Sequence, residues 1–314
     1  MKMKEFLEKI DDAWIVKKNT PLEKEALHFF HECWNNSHKN IFPGPQPISI
    51  ERKHFAQLSK EPYLICEKTD GVRWVLICFT FQEKKVCLLI NRALSMRWIN
   101  INVGTKAKRG TLLDGELIGN KFMIYDAVRV NGEHCSLKNF LGRFELIEKF
   151  CSSVVKLKSD PIELVPKNFE ILENAQDYIE NVLPTVPYKT DGLVFTPINE
   201  HVRMGTHEKM FKWKPLEKNT IDFQVKWERR GVWGLYIQDR GLLYFETEVR
   251  PEQCEWLQED MIVECRYRTW DYPMWWEPLK QRTDKTYPNN RRTFYRTLVN
   301  IREDIKINEF YNIK

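Results

Sequence analysis

One segment of this 314-residue chain carries residue types suited to covalent chemistry. Glu67-Lys68-Thr69-Asp70-Gly71-Val72-Arg73 lies between an apolar run ending at Cys66 and another starting at Trp74. That order reads as strand, turn, strand, a frame that holds a reactive side chain rigidly. Lysine attacks only when neutral. Bringing its ordinary pKa of ~10.4 to near 7 means ~3 units, or ~4 kcal/mol, of differential destabilisation of the ammonium. Nearby cations and partial burial can supply it, and Arg73 lies close by in sequence. The same letters also fit a surface turn with Asp70-Gly71 at its tip.

Asp-Gly recurs in two further strand-flanked settings, Asp114-Gly115-Glu116-Leu117 and Lys189-Thr190-Asp191-Gly192-Leu193-Val194-Phe195. Carboxylates at strand ends suit a magnesium ion or a ribose hydroxyl, and each dipeptide taken singly also fits a hairpin turn. In Met210-Phe211-Lys212-Trp213-Lys214-Pro215 two lysines at alternate strand positions share a face, which is how one phosphate can be held from one side. Solvated edge-strand lysines are the plainer alternative. A last charged motif, Arg282-Thr283-Asp284-Lys285-Thr286-Tyr287, precedes Pro288-Asn289.

The chain can build the frame these residues need. Hydrophobic residues at 42%, aromatics at 13% and charged residues at 30% exclude collagen-like, disordered and low-complexity classes. No apolar stretch approaches the ~20 residues of a membrane span, and the charged start MKMKEFLEKIDD does not read as a signal peptide, so a soluble intracellular protein is expected. Lysine plus arginine exceed aspartate plus glutamate by 49 − 44 = 5, a mild excess compatible with an anionic ligand. The eight cysteines are scattered, without zinc or redox spacing, and read as reduced core thiols.

Residues 21–34 space Leu22, Ala26, Phe29, Phe30 and Cys33 as one helical face. From Glu61 onward short apolar runs predict strands of a mixed α+β domain, interrupted by a predicted helix over 136–151 with Ser136 as N-cap. Beyond residue 217, strand-like segments around 221–227, 233–237, 242–249 and 261–267 suggest a small β-barrel. Tryptophans 213, 227, 233, 256, 270, 275 and 276 are read mainly as core or interdomain packing, with base stacking open to a few. Residues 291–305 read as a closing helix.

In this order the segments resemble the covalent lysyl-nucleotidyltransferase superfamily, specifically the eukaryotic-type mRNA capping guanylyltransferases, over nearly the whole chain. The arginine-x-aspartate-lysine motif at Arg282 to Lys285 tips the likeness to that family. ATP-dependent polynucleotide ligases of the superfamily usually carry glutamate-glycine where this chain has Asp191-Gly192, and little room precedes Lys68 for a ligase's DNA-binding domain. A non-catalytic RNA-binding OB-fold protein is a third reading. His134-Cys135 does not open a cysteine phosphatase loop, because the arginine needed six residues later is Leu141. No methyltransferase glycine-rich region is evident, so only the middle step of capping is expected.

The resemblance implies an α+β nucleotidyltransferase domain over 1–217, an OB-fold β-barrel lid over 218–300 and a helical tail over 301–314 packing back on the first domain. It implies that Lys68 is the nucleophile that takes GMP from GTP, with Lys212, Lys214 and Asp191 also catalytic. Lys212 and Lys214 match residues that hold the α-phosphate; Arg282 and Lys285 match those on the outer phosphates, with Asp284 orienting pyrophosphate. Arg73 and Glu116 match ribose contacts, and Arg92 a further nucleotide-binding arginine. Tyr125 stands where an aromatic ring stacks on guanine, with Tyr125 or Phe122 as plain core the alternative. Thr69, Asp114, Gly115, Trp213 and Thr283 lie in the same motifs and are carried with them as nucleotide-binding positions. A divalent ion, Mg2+ or Mn2+, is expected near Asp191 and Glu116, with either on metal or on ribose. The implied partners are GTP and 5′-diphosphate RNA, with no membrane. A separate RNA triphosphatase and the phosphorylated RNA polymerase II tail are left open, and a nuclear location follows from the implied chemistry alone, with a viral factory or the cytoplasm the alternative for a viral source.

Overall fold

A computed structural model describes residues 3–36, 42–158, 160–228, 231–249, 254–269, 274–283 and 285–313. The chain divides into two compact units, one running to Ile48 and resuming over Lys60–Lys212, the other formed by Ser49–Ser59 and the chain from Trp213 onward.

The first unit is built around a large sheet. Its strands run in the order Leu7–Ile10, Ala13–Val16, Met96–Trp98, Lys84–Asn91, Val72–Phe81, Thr111–Ile118, Lys121–Val130 and Glu133–His134, with Glu163–Pro166 parallel to Lys121–Val130. Val72–Phe81 shows why its sequence is an unbroken apolar run. Val75, Ile77, Phe79 and Phe81 enter one core cluster with Leu22, Ala26, Phe29, Phe30 and Cys33. Leu76 and Cys78 enter another with Ile147 and Phe150. Side chains alternate along a strand, so a strand covered by a helix on each face is apolar at every position.

The covering helices are Pro21–Cys33 and Phe140–Ser152. Thr20 caps the first by accepting from Glu23 N, and Pro21 opens it where no amide partner is needed. The second starts later than expected. Asn139 Oδ1 accepts from Gly142 N at 2.9 Å, while the Ser136 hydroxyl is engaged with the His134 ring at 3.1 Å, so Asn139 replaces Ser136 as the cap.

A second sheet orders Glu170–Ile171, Tyr63–Thr69, Thr190–Pro197, Thr206–Trp213 and Gln46–Ser49. Tyr63–Thr69 passes through Lys68, and the next strand starts at Val72. Lys68 therefore sits on a strand, not in the turn the sequence suggested.

The second unit is an antiparallel sheet ordered Leu242–Val249, Trp233–Asp239, Thr220–Trp227, Ile262–Arg268 and Trp275–Gln281. Among the described residues no ladder joins the first of these strands to the last. The expected barrel is thus an open sheet. Its apolar face is covered instead by the helix Arg291–Glu303, whose Phe294 packs edge-on against Phe223 with ring centroids 5.9 Å apart. That helix stops at Asp304, whose left-handed φ of 41° ends the repeat. The strand Trp275–Gln281 was not anticipated; it is an edge strand, which tolerates Pro278. Trp233 and Trp276 are core, whereas Trp227 and Trp256 are exposed. Trp270 and the Arg229-Arg230 pair lie outside the described residues.

No described helix is long and apolar enough to cross a membrane. All eight cysteines are thiols, seven of them buried. Burial pushes the Cys135 thiol up to about 12, which fits a structural residue and no nucleophile.

Candidate active site

Lys68 and Asp191 face each other across two paired strands. Thr69 is opposite Thr190 and Glu67 is opposite Leu193, so Lys68 alone spans both Asp191 and Gly192. This β-bulge is the device that re-aims a side chain beside a functional centre. Gly192 sits there at φ 146°, a conformation that L side chains rarely adopt. The Lys68 Nζ donates to Asp191 Oδ1 at 2.7 Å, with the lysine side chain 23% exposed and the aspartate 10%. The amine is reachable, and it is held in this ion pair.

A second cluster lies on Val72–Phe81 and its neighbours. Asp114 is fully buried and takes Arg73 Nε at 3.0 Å and Nη2 at 2.5 Å, while Arg73 Nη1 donates to Pro45 O at 2.7 Å. Burial alone would pull the Arg73 guanidinium down, but Asp114 and other negative neighbours hold it above its ordinary value. Tyr125 also donates to Asp114 Oδ1, at 2.9 Å, and burial pushes its phenol well up. Tyr125 is therefore tied to the same carboxylate as Arg73, whereas Phe122 is plain core. Asp114 and Gly115 are in mid-strand at another register shift, not in a hairpin turn. A Cβ on Gly115 would come within 2.6 Å of Met123 O.

Glu116 accepts from Gly71 N at 3.1 Å. Its carboxyl is raised by burial, against the pull of Lys68, Lys167 and the Gly71 amide, and Asp191 adds to the rise. Glu116 thus feels both members of the Lys68 and Asp191 pair. Arg92 is lowered by burial and by Arg73, and feels Tyr125, Asp114 and Glu116, which places it in the same electrostatic neighbourhood. Among the described residues no group of three His, Cys, Asp or Glu side chains gathers to hold a metal. Two carboxylates in one field do suit magnesium, which takes one or two carboxylates together with phosphate oxygens.

Behind Lys68 is a network that the sequence reading missed. Glu67 and Thr69, on the opposite face of the strand, are both buried. Glu67 accepts from Tyr188 OH at 2.7 Å and Tyr178 OH at 3.0 Å, and its own N–H donates to the Tyr178 oxygen at 2.8 Å. Lys167 donates to Thr69 Oγ1 at 2.9 Å and lies 3.4 Å from Glu67. The Thr69 hydroxyl is thereby turned to Lys167. The available signal was a glutamate continuing the buried run Tyr63 to Cys66, since a carboxylate in such a run needs partners.

Lys212 ends the first unit on the strand Thr206–Trp213, half-buried, and Lys214 lies just beyond that strand's end. Trp213 is buried in the second unit, its indole N–H donating to Ile305 O at 2.7 Å and its ring edge-on to Phe310. That places its polar atom on packing. In the same unit Asp222 gathers two of the expected phosphate ligands, accepting from Arg282 Nη1 at 2.9 Å and from Lys285 Nζ. Asn289 fixes Asp222 by exchanging hydrogen bonds with its backbone at 2.7 and 2.9 Å. Thr283 is exposed, and Asp284 lies outside the described residues.

A model of the mRNA capping enzyme catalytic domain matches residues 14–216, and one of the mRNA capping enzyme C-terminal domain matches 218–311. The mouse protein named mRNA-capping enzyme is 29% identical over 279 residues, covering 80% of this chain and 46% of its own length. The mRNA-capping enzyme subunit alpha of Schizosaccharomyces pombe is 27% identical over 320 residues, covering 85% of this chain and 78% of its own. The chain thus spans about half the length of the mouse relative. Among solved structures, mycobacterial DNA ligase D complexed with ATP and MES superposes at a TM-score of 0.45 with 14% identity, over 79% of this chain and 96% of that one.

Proposed function

The chain belongs to the mRNA capping enzyme family, and from that premise we propose that it transfers GMP from GTP through Lys68 to the 5′-diphosphate end of RNA. The observation that carries the reading is the Lys68 amine at the β-bulge, 2.7 Å from Asp191 and within the field of Glu116. In the first step the Nζ lone pair bonds to the α-phosphorus as the bond to the β-phosphate oxygen breaks. The amine loses a proton and pyrophosphate leaves. In the second, a terminal oxygen of the RNA diphosphate bonds to the same phosphorus, the P–N bond breaks and the lysine regains its proton. Both steps gather negative charge at one phosphate, so cations and in-line placement are what the protein must supply.

In this reading Lys212 and Lys214 hold the α-phosphate, while Arg282 and Lys285, with Asp284, serve the outer phosphates and the departing pyrophosphate. Arg73 and Glu116 hold the ribose, Arg92 assists, and Tyr125 offers its ring to guanine. Asp191 and Glu116 are the carboxylates that would hold a magnesium or manganese ion, which would offset charge on the phosphates. The RNA substrate must arrive with two phosphates, so an RNA triphosphatase acts before this chain. A transcribing polymerase supplies the RNA, its phosphorylated tail would be the docking partner, and a nuclear site of action follows.

The test is incubation with α-labelled GTP or ATP and a divalent ion. GTP should label the wild-type protein, with the guanylate mass on the peptide containing Lys68, and Lys68→Ala or Lys68→Arg should abolish the label. Preferential labelling by ATP would favour a ligase, and labelling by neither nucleotide a binding protein.

A further inference from the structure

The proposed chemistry uses the Lys68 face of its strand and leaves the opposite face, with its buried charges, unexplained. Glu67 and Lys167 are 2% and 3% exposed. Burying charged groups is expensive unless they are paired, and a paired, buried set seldom stabilises a fold more than apolar residues of the same shape would. The connections of this set suggest a different role. Tyr188 lies three residues before Asp191, and its hydroxyl donates to Glu67, the residue before Lys68, at 2.7 Å. The contact therefore ties the segment that delivers the carboxylate to the segment that delivers the amine.

The tie flanks the point where the backbone ladder is broken, although Asp70 N–H also bonds Lys189 O at 2.9 Å just beyond it. At the bulge two residues oppose Lys68, and the ladder is interrupted between Thr190 and Leu193. Tyr178 reinforces it by bonding both the N–H and the carboxylate of Glu67. This tyrosine opens the π-helical turn Tyr178–Val182, a rare geometry that recurs at functional sites. Both phenols are pushed up, first by burial and then by Glu67, which keeps them as proton donors to the carboxylate.

We propose that Glu67, held by Tyr178 and Tyr188, is a positioning residue that sets the separation of Lys68 and Asp191 across the bulge. The role rests on the reading of Lys68 as the nucleophile. Tyr188→Phe removes one hydroxyl and little else. Tyr63→Phe is the matched control, because Tyr63 is buried on the same strand and its hydroxyl donates to Lys209 O, away from Glu67.

Two readouts on the full chain separate positioning from folding and from the reaction itself. In single-turnover reactions, Tyr188→Phe should form protein-GMP about tenfold or more slowly at saturating GTP, with KM changed by less than about twofold. Tyr63→Phe should keep the parental rate. The second readout uses no nucleotide: acetic anhydride should acylate Lys68 faster, relative to exposed Lys84, in Tyr188→Phe than in the parent, because an amine loosened from its carboxylate is more nucleophilic. Glu67→Gln should move both readouts the same way, and Tyr188→Phe decides alone if that variant does not fold. The proposal is overturned if Tyr188→Phe matches the parent in both readouts, if Tyr63→Phe loses as much, or if the whole loss lies in KM. Should the parent itself form no adduct, the reaction reading falls, and the acylation ratio still decides the positioning.

Discussion

The first unit presents Lys68, Arg73 and Lys212 from within strands, close to their ends, whereas the second presents its pair from the segment that follows the strand Trp275–Gln281. Arg73 and Asp114 are 9% and 1% exposed at their side chains; Arg73 pairs with Glu116 on one side, and Asp114 is flanked by Val75 and Asp126 on both. Arg282 and Lys285 are 23% and 33% exposed, and both turn to Asp222. Each region supplies a carboxylate to its cations, but only in the first is the pair out of water. Asp222 is itself only 7% exposed, but its cations stay within reach of water; under the proposed function, phosphate oxygens would replace Asp222 at Arg282 and Lys285. A buried bidentate pair cannot open in that way, and Arg73 is better suited to a fixed contact than to a moving one.

The largest expected effect tests that contrast directly. Asp114→Ala leaves the Arg73 guanidinium buried with Pro45 O as its one remaining hydrogen-bond acceptor among the described residues, and should cost about 3–5 kcal/mol of stability. Asp222→Ala leaves two cations that water can reach and should cost about 1 kcal/mol or less. Urea denaturation of both variants reads the difference. Equal losses would mean that the two carboxylates do the same work, and the comparison would be lost.

The second prediction sharpens the functional half of it. If Arg282 serves the outer phosphates, Arg282→Ala should slow protein-GMP formation from GTP at least about tenfold more than it slows GMP transfer from preformed adduct, since the adduct carries no β- or γ-phosphate. Rapid-quench measurement of the two half-reactions separates them. Equal slowing would count against placing Arg282 on the leaving group.

How much of this was legible in the sequence differs between the same two regions. The apolar runs and charged motifs located the central strands of the first unit and the order of its site residues, because alternation and motif spacing are local properties; the short strands Leu7–Ile10, Ala13–Val16, Gln46–Ser49, Met96–Trp98 and Glu163–Pro166 were not anticipated. The position of Lys68 on a strand was missed: Asp70-Gly71 is so short a turn that the strands close right up to it. The partners of Glu67 and Thr69 were invisible, since Lys167, Tyr178 and Tyr188 stand 98, 111 and 121 residues away in the chain. In the second unit the strands over 220–249 and 262–268 were readable, but closure into a barrel was not. Closure depends on what covers the apolar face, and Phe294 of the last helix does so. Ser136 and Asn139 are equally good caps by type; the His134 ring that engages Ser136 is only two residues away, and the choice turns on a local side-chain geometry that residue types do not specify.

The smallest effect concerns Glu116, where the first unit tolerates a poorly placed charge. Burial and Asp191 raise its carboxyl above the ordinary range, and Lys68, Lys167 and the Gly71 amide only partly oppose them. The folded chain therefore binds this proton more tightly than the unfolded chain does. By linkage, the stability associated with the group is fully present below its unfolded value and is lost as pH rises through its folded value. At neutral pH the ionised carboxylate is thus a modest burden on the fold. Glu116→Gln keeps an oxygen for the Gly71 N–H and removes the charge. Its Tm should exceed that of the parent at pH 7, with the gap narrowing as pH falls toward ~4, where the unfolded carboxylate also takes up its proton. Adduct formation should fall in the same variant, because the proposed ribose or metal contact needs the ionised form. A variant less stable than the parent at pH 7 would show that Glu116 is held as firmly as Asp114, and that every charge in the first unit belongs to its frame.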